Sequence, residues 1–407
     1  QSYHLKILVI ILFSCINIFS QQVNTLELVE SIPEETSLDN PDIRNTQEVW
    51  LEMINSAQKT LDIEQFYISN EKGEPLDTIL GAIVAAGKRG VVVRIIIDDG
   101  MYKTYPDDVE WLEKQSPNIT KHVIDFKLLA GGIQHSKYFI VDHKEIFLGS
   151  QNFDWRSLKH IHEFGVRVKS SIVLKFLSNF NLDWNYAERN DGLNWLTDSS
   201  EVLVFRRNSQ LIYSTLYDTI NPIAVFSPKR FLFEDIYSKW ELPKIVKMIT
   251  GAQNEITLQF LSYNVYTKDG YWEEVDTALI AASKRGVKVK LLVSDWNLGK
   301  TAVEHFKSLI TYPNFEVRFT EIPEYSGGFI PFARVEHCKF ITADSTCWIG
   351  TSNMSRDYFY ESRNVGLVVE NGKFTYRVRD IFYKSWNSEY ARTIEEGVEY
   401  TPRKRDW

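Results

Sequence analysis

The stretch HSKYFIVD, residues 135–142, recurs as HCKFITAD at residues 337–344. A second pair of segments repeats with it, since EMINSAQKTLDI begins at Glu52 and KMITGAQNEITL begins at Lys247. The offset between paired residues is 202 for the first pair and 195 for the second. Similarity at a nearly constant offset indicates an internal duplication. The sequence therefore predicts two copies of one unit.

Each copy has the pattern of alternating strands and helices. TLDIEQFYI from Thr60 is rich in aliphatic and aromatic residues, as strands are, whereas DTILGAIVAAGKRG from Asp77 has helical spacing and ends on a glycine suited to a helix C-terminus. The apolar VVVRIIID that follows is typical of a buried strand. This order predicts the α/β class, with two mixed-sheet α/β sandwich units packed with pseudo-two-fold symmetry.

The repeats divide the chain into predicted segments. An apolar run at residues 7–19 follows His4 and Lys6 and is typical of a secretory signal peptide, with a signal anchor or a lipoprotein site at Cys15 as alternatives. We therefore expect an exported protein, whether secreted, periplasmic or lumenal. The predicted segments are a signal peptide at 1–20, an N-terminal arm at 21–46, a first half at 47–187, a connecting segment without counterpart in the first copy at 188–240, a second half at 241–392 and a C-terminal tail at 393–407.

Composition narrows the class of protein. Hydrophobic residues make up 44% of the chain and charged residues 25%, which is ordinary for a globular protein with its own core. The formal net charge of -8 disfavours a broad basic surface for duplex nucleic acid. Beyond the predicted signal only Cys338 and Cys347 are present, so the chain is not a disulfide framework and we expect no bridge between them.

The repeated histidine and lysine suit a phosphate site. In an extended strand, residues i and i+2 share a face, so each motif would place an imidazole beside an ammonium group. The two pairs are His135 with Lys137 and His337 with Lys339. Each motif precedes a turn whose hydroxyl and amide can bind an anion, namely Ser150 with Asn152 and Thr351 with Asn353. Two such halves would put one histidine on either side of a phosphorus, one to attack and one to protonate the leaving oxygen.

A hairpin with a solvated histidine is the alternative interpretation of a single copy. The chain has only 8 histidines, and two of them recur in register with the same lysine, aspartate and turn. That coincidence favours the functional interpretation. Three nearby histidines have no partners in the repeat, and we expect them at the surface: His143, His160 and His162.

Both motifs match the HxKxxxxD signature of the phospholipase D superfamily, which the chain resembles over nearly its whole length after the predicted signal. HSKYFIVD...LGSQNFDWRSL, RVEHCKFITAD...WIGTSNMSRDYF and the ESIP at Glu30 look most like the animal lysosomal phospholipase D-like 5′ exonucleases and the related poxviral envelope proteins. The resemblance implies phosphodiester hydrolysis in two steps through a phosphohistidine, without cofactor or metal. The sequence has no cluster of Cys, His and carboxylate residues with metal-ligand spacing, which agrees with this expectation. The resemblance also implies that Asp142 and Asp344 brace their hairpins.

One asymmetry between the halves bears on the roles of the two histidines. The resemblance implies a carboxylate downstream of the motif that orients its imidazole, and Glu163 lies 28 residues after His135. The aligned residue in the second half is Asn364, 27 residues after His337, with Glu361 one turn earlier. A carboxylate makes an imidazole more basic and stabilises a phosphohistidine, so we expect His135 to be the nucleophile and His337 the general acid. In the alternative, Glu361 serves His337 and the asymmetry carries no meaning.

Two substrate classes and one non-catalytic role compete. For single-stranded nucleic acid, the first choice, four aromatic residues would stack bases: Phe66, Tyr67, Tyr263 and Tyr358. For phospholipid head groups, the loop YSGGFIPF at residues 325–332 would touch a bilayer transiently. A non-catalytic phosphate-binding protein is disfavoured, because both histidines and both lysines are intact. One chain supplies both halves of the site, so a monomer suffices and no partner protein is implied.

Overall fold

The computed structural model describes residues 24–189, 212–214, 217–229, 239–267 and 270–406. The predicted signal peptide and much of the predicted connecting segment lie outside these residues. Within them, the predicted α/β class is confirmed, because each half is built around an eight-stranded mixed sheet flanked by helices.

The first half contains a sheet of order β2-β1-β10-β8-β7-β3-β5-β6, with β4 and β9 paired beside it. Its strands are β1 (Thr25–Ser31), β2 (Arg44–Asn45), β3 (Thr60–Gln65), β4 (Ile68–Ser69), β5 (Val92–Asp98), β6 (Ile119–Ile124), β7 (Tyr138–Val141), β8 (Glu145–Gly149), β9 (Phe153–Asp154) and β10 (Glu163–Lys169). Its helices are α1 (Thr46–Ser56), α2 (Leu76–Lys88), α3 (Asp99–Tyr102), α4 (Asp107–Lys114), α5 (Phe126–Ala130), α6 (Trp155–Lys159) and α7 (Val173–Arg189). Strands β3, β5 and β6 pair in parallel, whereas β7, β8 and β10 pair antiparallel.

The second half contains a sheet of order β13-β23-β21-β20-β14-β18-β19-β24. The strands from the middle of the chain onward are β11 (Ile212–Ser214), β12 (Asp218–Ile220), β13 (Pro222–Ser227), β14 (Glu255–Gln259), β15 (Tyr263–Asn264), β16 (Tyr266–Thr267), β17 (Gly270–Tyr271), β18 (Lys288–Ser294), β19 (Phe315–Thr320), β20 (Phe340–Ala343), β21 (Thr346–Gly350), β22 (Met354–Ser355), β23 (Asn364–Glu370) and β24 (Ala391–Thr393). The helices are α8 (Glu241–Gly251), α9 (Glu274–Lys284), α10 (Lys300–Leu309), α11 (Arg356–Tyr360) and α12 (Gly372–Trp386).

The sheets correct two of the predicted boundaries. The segment predicted as an N-terminal arm contributes β1, which pairs antiparallel with β10 inside the first sheet. The segment predicted as a connector without counterpart contains β13, which pairs antiparallel with β23 at the same place in the second sheet. The sequences TLELVES and PIAVFS share little beyond their apolar positions. A comparison of residues therefore missed a repeat that the pairing of strands shows.

Local sequence explains how α2 leads into β5. One face of α2 buries Leu76, Ile79 and Ile83, which follow helical spacing. Gly90 then adopts a φ of 94°, a left-handed conformation that costs glycine little and ends the helix. The isoleucines at residues 95–97 of β5 are fully buried, as expected of a strand that is covered on both faces.

The two halves share one hydrophobic core. Side chains of β7, β8 and β10 pack there against those of β20, β21 and β23, and the rings of Phe164 and Phe340 meet edge to face at 5.3 Å. Each half also has an outer core under its own helices. Cys338 and Cys347 are buried and free, which confirms the expectation of no bridge. The shared core fixes the two repeated motifs against each other.

No helix in the described part of the chain combines the length and the apolar character needed to cross a bilayer.

Candidate active site

Each motif histidine is tied by its backbone to the opposite half. The His135 amide donates to the Arg363 carbonyl, and the His337 amide donates to the His162 carbonyl, both at 2.9 Å. Arg363 and His162 immediately precede β23 and β10, respectively. The histidine and lysine of each motif lie just before β7 or β20, rather than within the strand as predicted. These two crossed attachments bring the histidines to one place between the halves.

The side-chain partners of the histidines are crossed in the same way. Nδ1 of His337 lies 2.8 Å from Oε2 of Glu163, and Nδ1 of His135 lies 3.2 Å from Oδ1 of Asn364. The prediction that Glu163 serves His135 is therefore wrong. Glu163 begins β10, directly after the His162 carbonyl that accepts from His337. Asn364 begins β23, directly after the Arg363 carbonyl that accepts from His135. The alternative with Glu361 is also wrong, because that carboxylate accepts from Arg356 at 2.9 Å instead.

Both partners fix the protonation of the imidazoles. An ionised carboxylate only accepts hydrogen bonds, so Nδ1 of His337 carries a proton and its Nε2 keeps a lone pair. The Asn364 amide nitrogen donates to the Tyr358 carbonyl at 2.9 Å, which turns Oδ1 of Asn364 toward His135. Each neutral histidine therefore presents an unprotonated Nε2.

The hydroxyls predicted to bind phosphate hold these partners instead. Ser150 donates to Oε2 of Glu163 and accepts from the Phe164 amide, so its single proton is already committed. Thr351 donates to Oδ1 of Asn364 at 2.9 Å. The phosphate-binding role predicted for Ser150 and Thr351 is corrected to one of positioning the residues behind the histidines.

A close approach of two strands places Ser150. Gly149 and Gly165 face each other in the register of β8 and β10. A Cβ atom on Gly149 would lie 2.6 Å from the Cα of Gly165, closer than any real side chain comes. Glycine is therefore required at the point where the turn leaves β8.

The two turn asparagines remain candidates for phosphate binding. Among the described residues, the side-chain oxygens of Asn152 and Asn353 are buried without a hydrogen-bond partner. The amide nitrogen of Asn353 donates to the Tyr358 hydroxyl at 3.0 Å. A rotation of either amide would present an N–H group, so their predicted role stays a prediction.

Both lysines are fully buried in the site. Lys137 and Lys339 each donate to the carbonyl of the histidine two residues earlier, at 2.9 Å. Burial lowers the pKa of Lys339 to about 8, and it lowers the pKa of Lys137 well below its usual range, with Lys339 adding to the effect. Four cationic or protonatable groups thus crowd one volume, which a bound phosphodiester anion would relieve.

The same crowding acts on the histidines. Burial holds the pKa of His135 well below its ordinary value, and the nearby Lys137, Lys339 and His337 lower it further. Burial also lowers the pKa of His337, although Glu163 opposes that shift. Both imidazoles are therefore neutral at neutral pH before an anion binds.

The motif aspartates lie at the far ends of their strands from the histidines. The carboxylate of Asp142 accepts the backbone amides of residues 58–60, and that of Asp344 accepts those of residues 253–255. Both aspartates have left-handed backbone conformations, with φ of 50° and 48°. They hold the hairpins, as the resemblance implied, and leave the chemistry to the histidines.

Two of the four predicted stacking residues flank His135. The rings of Phe66 and Tyr358 meet its imidazole edge to face at 5.0 and 4.9 Å. Tyr67 stacks on Tyr105 at 5.2 Å. The stacking role predicted for Tyr263 is wrong, because that side chain is fully buried in the core of its half.

Sequence reasoning missed an ion pair beside the site. His143 is exposed as predicted, but His160 and His162 are buried, so the surface prediction is wrong for both. His162 lies 2.7 Å from Glu336 across the two halves. These residues directly precede Glu163 and His337, and their charges are the one signal that could have revealed the pair.

The pair belongs to a group with metal-ligating chemistry. Within the described residues, potential ligand atoms of His162, Glu336 and Cys338 lie within 4.8 Å of one another. Glu336 accepts from His162 and from the Cys338 backbone amide, so the group is satisfied as an ion pair. We derive no reaction step from it.

Comparisons with known proteins agree with the geometry. The family described as "Cardiolipin synthase, PLD-like domain" matches residues 50–202 and 245–386. The Dictyostelium discoideum protein named phospholipase D Y is 28% identical over 92% of this chain and 93% of its own length. The virion nicking-joining enzyme of vaccinia virus (strain Western Reserve) is 28% identical over 94% and 92%, and the mouse 5′-3′ exonuclease PLD4 is 26% identical over 93% and 82%. The resemblance drawn from the two motifs is confirmed.

Proposed function

Because the chain belongs to the family of phospholipase D-like domains and is a phosphodiesterase of that family, we propose that it hydrolyses single-stranded nucleic acid through a phosphohistidine on His337. The observation that carries this assignment is the contact of 2.8 Å between Glu163 and His337. It reverses the roles expected from sequence spacing, since the carboxylate lies behind the second histidine.

The first step forms the covalent intermediate. Nε2 of His337 attacks phosphorus, the P–N bond forms, and the bond from phosphorus to the leaving oxygen breaks. His135 becomes protonated on Nε2 once the phosphodiester anion is bound, because the anion favours the cationic imidazole, and it gives this proton to the leaving oxygen. Glu163 accepts from Nδ1 of His337 and stabilises the positive charge that the imidazole gains on phosphorylation.

The second step restores the free enzyme. His135, now neutral, takes a proton from water, and the resulting oxygen nucleophile attacks phosphorus while the P–N bond breaks. The electron pair returns to Nε2 of His337. Asn364 is neutral, so it orients His135 without making that imidazole a stronger base, which suits a group that gives and takes a proton.

The lysines supply the positive charge that this mechanism needs. Lys137 and Lys339 are buried beside the histidines, where an ammonium group interacts more strongly with developing charge than it would in water. We propose that they bind the non-bridging oxygens of the phosphodiester and that the reaction needs no metal.

Aromatic rings next to the site support the choice of substrate. Phe66 and Tyr358 lie against His135, the general acid, where a base attached to the leaving oxygen would reach them. Two of the relatives are named as a nicking-joining enzyme and an exonuclease.

Phospholipid is the second candidate. One relative is named a phospholipase D, and Phe332 in the predicted bilayer-touching loop is 43% exposed. A fluorescent single-stranded oligonucleotide and phosphatidylcholine vesicles, each offered to the wild type and to His337→Ala, separate the two. Cleavage of the oligonucleotide by the wild type alone supports the proposal, whereas release of choline alone overturns it.

We propose that a monomer is active. Both histidines, both lysines and both histidine partners come from one chain, and no further surface is needed to complete the site.

A further inference from the structure

The C-terminal segment lies across the second half and ends beside the loop that leads to His337. The Ile394 amide donates to the carbonyl of Val317 at 3.0 Å where the segment leaves β24. At the other end, the Phe332 amide donates to the Arg405 carbonyl at 2.8 Å. The tail is therefore attached to the fold at both ends.

The end of this tail and the residues beneath it form a surface of alternating cations and rings, which we call the tail surface: Trp296, Phe332, Lys404 and Arg405. The rings of Trp296 and Phe332 meet edge to face at 6.4 Å. The Arg405 guanidinium lies 5.3 Å from the centre of the Trp296 ring and donates to the Trp296 carbonyl at 3.0 Å. Phe332, Lys404 and Arg405 are exposed, with Asp406 the neighbouring acidic group.

Arg403 attaches the tail to the second half through its side chain and its backbone. Arg403 donates to the carbonyl of Ile322 and lies 3.7 Å from the buried carboxylate of Asp295. The Arg403 amide donates to the Asp295 carbonyl at 3.4 Å. Arg403 thus fixes the tail, whereas Lys404 and Arg405 stay exposed, with the Arg405 guanidinium over the Trp296 ring.

The tail surface is joined to the His337 motif through the loop of residues 332–337. Phe332 lies five residues before His337, and the carbonyl of Pro331 accepts from Arg156 at 3.2 Å. The next residue, Ser157, donates at 2.9 Å to the carboxylate of Glu163 that holds His337. The rings of Phe66 and Tyr358 thus lie against His135, whereas the tail surface is connected through its loop to His337.

We propose that the tail surface binds the part of a single strand that extends beyond the cleaved phosphodiester on the His337 side. This inference rests on the proposed function. The chain carries a net charge of -8, so the adjacent Lys404 and Arg405 are a local reversal of charge that complements a phosphate backbone. The exposed ring of Phe332 beside those cations matches the stacking and charge pattern that binds single strands without regard to sequence.

The test compares long and short substrates. Phe332→Ala and the double variant Lys404→Ala/Arg405→Ala are assayed with single-stranded DNA of 20 and of 4 nucleotides and with bis(p-nitrophenyl) phosphate. Exposed Tyr376 on α12 and exposed Lys144 supply matched controls, Tyr376→Ala and Lys144→Ala. Thermal unfolding of each variant verifies the fold.

We expect Phe332→Ala to raise KM for the 20-mer by about 5- to 100-fold, the range that one lost base stack implies, with little change for the small diester. The double variant should also lower the slope of log KM against log salt by about 1 to 2, one per lost phosphate contact.

Distinct failures have distinct meanings. If the wild type cleaves the small diester but no oligonucleotide, the proposed function falls and this inference falls with it. If the wild type cleaves the 20-mer and the variants keep the wild-type KM, the proposed function stands but the tail surface is not a strand-binding site. If the variants instead lose binding to phosphatidylcholine vesicles, the lipid alternative is favoured and the tail surface is again not a strand-binding site.

Discussion

Oε2 of Glu163 lies 2.8 Å from Nδ1 of His337, although 174 residues separate them in the chain. The corresponding position behind His135 is filled by Asn364. The two halves thus carry the same histidine and lysine but different partners, and the proposed mechanism gives the two histidines different tasks on this ground.

Glu163→Gln should lower kcat by roughly 10²- to 10⁴-fold, as expected when a carboxylate behind a working imidazole becomes neutral. Glu163 lies behind His337, so in the proposed mechanism it acts by positioning that imidazole and stabilising its charge. The effect should lie in kcat, with KM changed little, and a rapid-quench measurement should show slower formation of the phosphoenzyme. A loss confined to KM would contradict this role.

Asn364→Asp is the matched variant on the other half. It should raise the pKa of His135, because a carboxylate favours the protonated imidazole. At a pH low enough to protonate His135 in both proteins, a stronger base gives up its proton less readily, so protonation of a poor leaving group should slow. A p-nitrophenolate leaving group needs no proton and should react as before. Equal slowing of both substrates would argue against His135 as general acid.

The wild-type kcat/KM should rise as the pH falls from about 7.5 toward 5. The reaction needs one protonated imidazole, and the pKa values of His135 and His337 both lie below the ordinary 6.5 because the two rings are buried. Activity should fall further as the pH rises through about 8, where Lys339 loses its proton. A pH profile of kcat/KM that peaks above pH 8 would contradict these shifts.

In EDTA, kcat should change by no more than about twofold, because the proposed mechanism uses no metal. The Lys339→Ala variant should lose on the order of 10²- to 10³-fold in kcat, as when one preorganised donor is removed. The lysines, in this mechanism, supply the positive charge. Loss of activity in EDTA with recovery on adding Zn²⁺ would instead direct attention to the group of His162, Glu336 and Cys338.

Glu336→Gln should lower the free energy of unfolding by about 3 to 5 kcal/mol, because it leaves the buried His162 without its charge partner. Burial opposes the charge of His162, but Glu336 outweighs it and raises the pKa. The pKa of His162 is thus higher in the folded than in the unfolded chain. The ion pair therefore stabilises the fold fully below pH 6.5, and this stabilisation is lost as the pH rises through the folded-state pKa. Urea unfolding at pH 5.5 and pH 9 should show this decline in the wild type only, and a loss under 1 kcal/mol at pH 5.5 would count against the pair.

The duplication and the α/β class were predictable because they depend on periodicity and on repeats within each half. The hydrogen-bond partners of the two histidines were not predictable from the sequence. Spacing along the chain placed Glu163 behind His135, whereas the crossed backbone attachments at Arg363 and His162 place it behind His337. Similarly, the sequence did not reveal β13 as the counterpart of β1. The two strands occupy equivalent positions in their sheets, but their side chains differ.

Trapping of the phosphoenzyme decides between the two histidines as nucleophile. The substrate is a labelled nucleotide ester whose p-nitrophenolate leaving group needs no general acid. His135→Ala should form the intermediate and accumulate label on His337, since the base that activates water is missing, and His337→Ala should carry no label. Label on His135 in the His337→Ala variant, with none in His135→Ala, would contradict the assignment of His337 as the nucleophile.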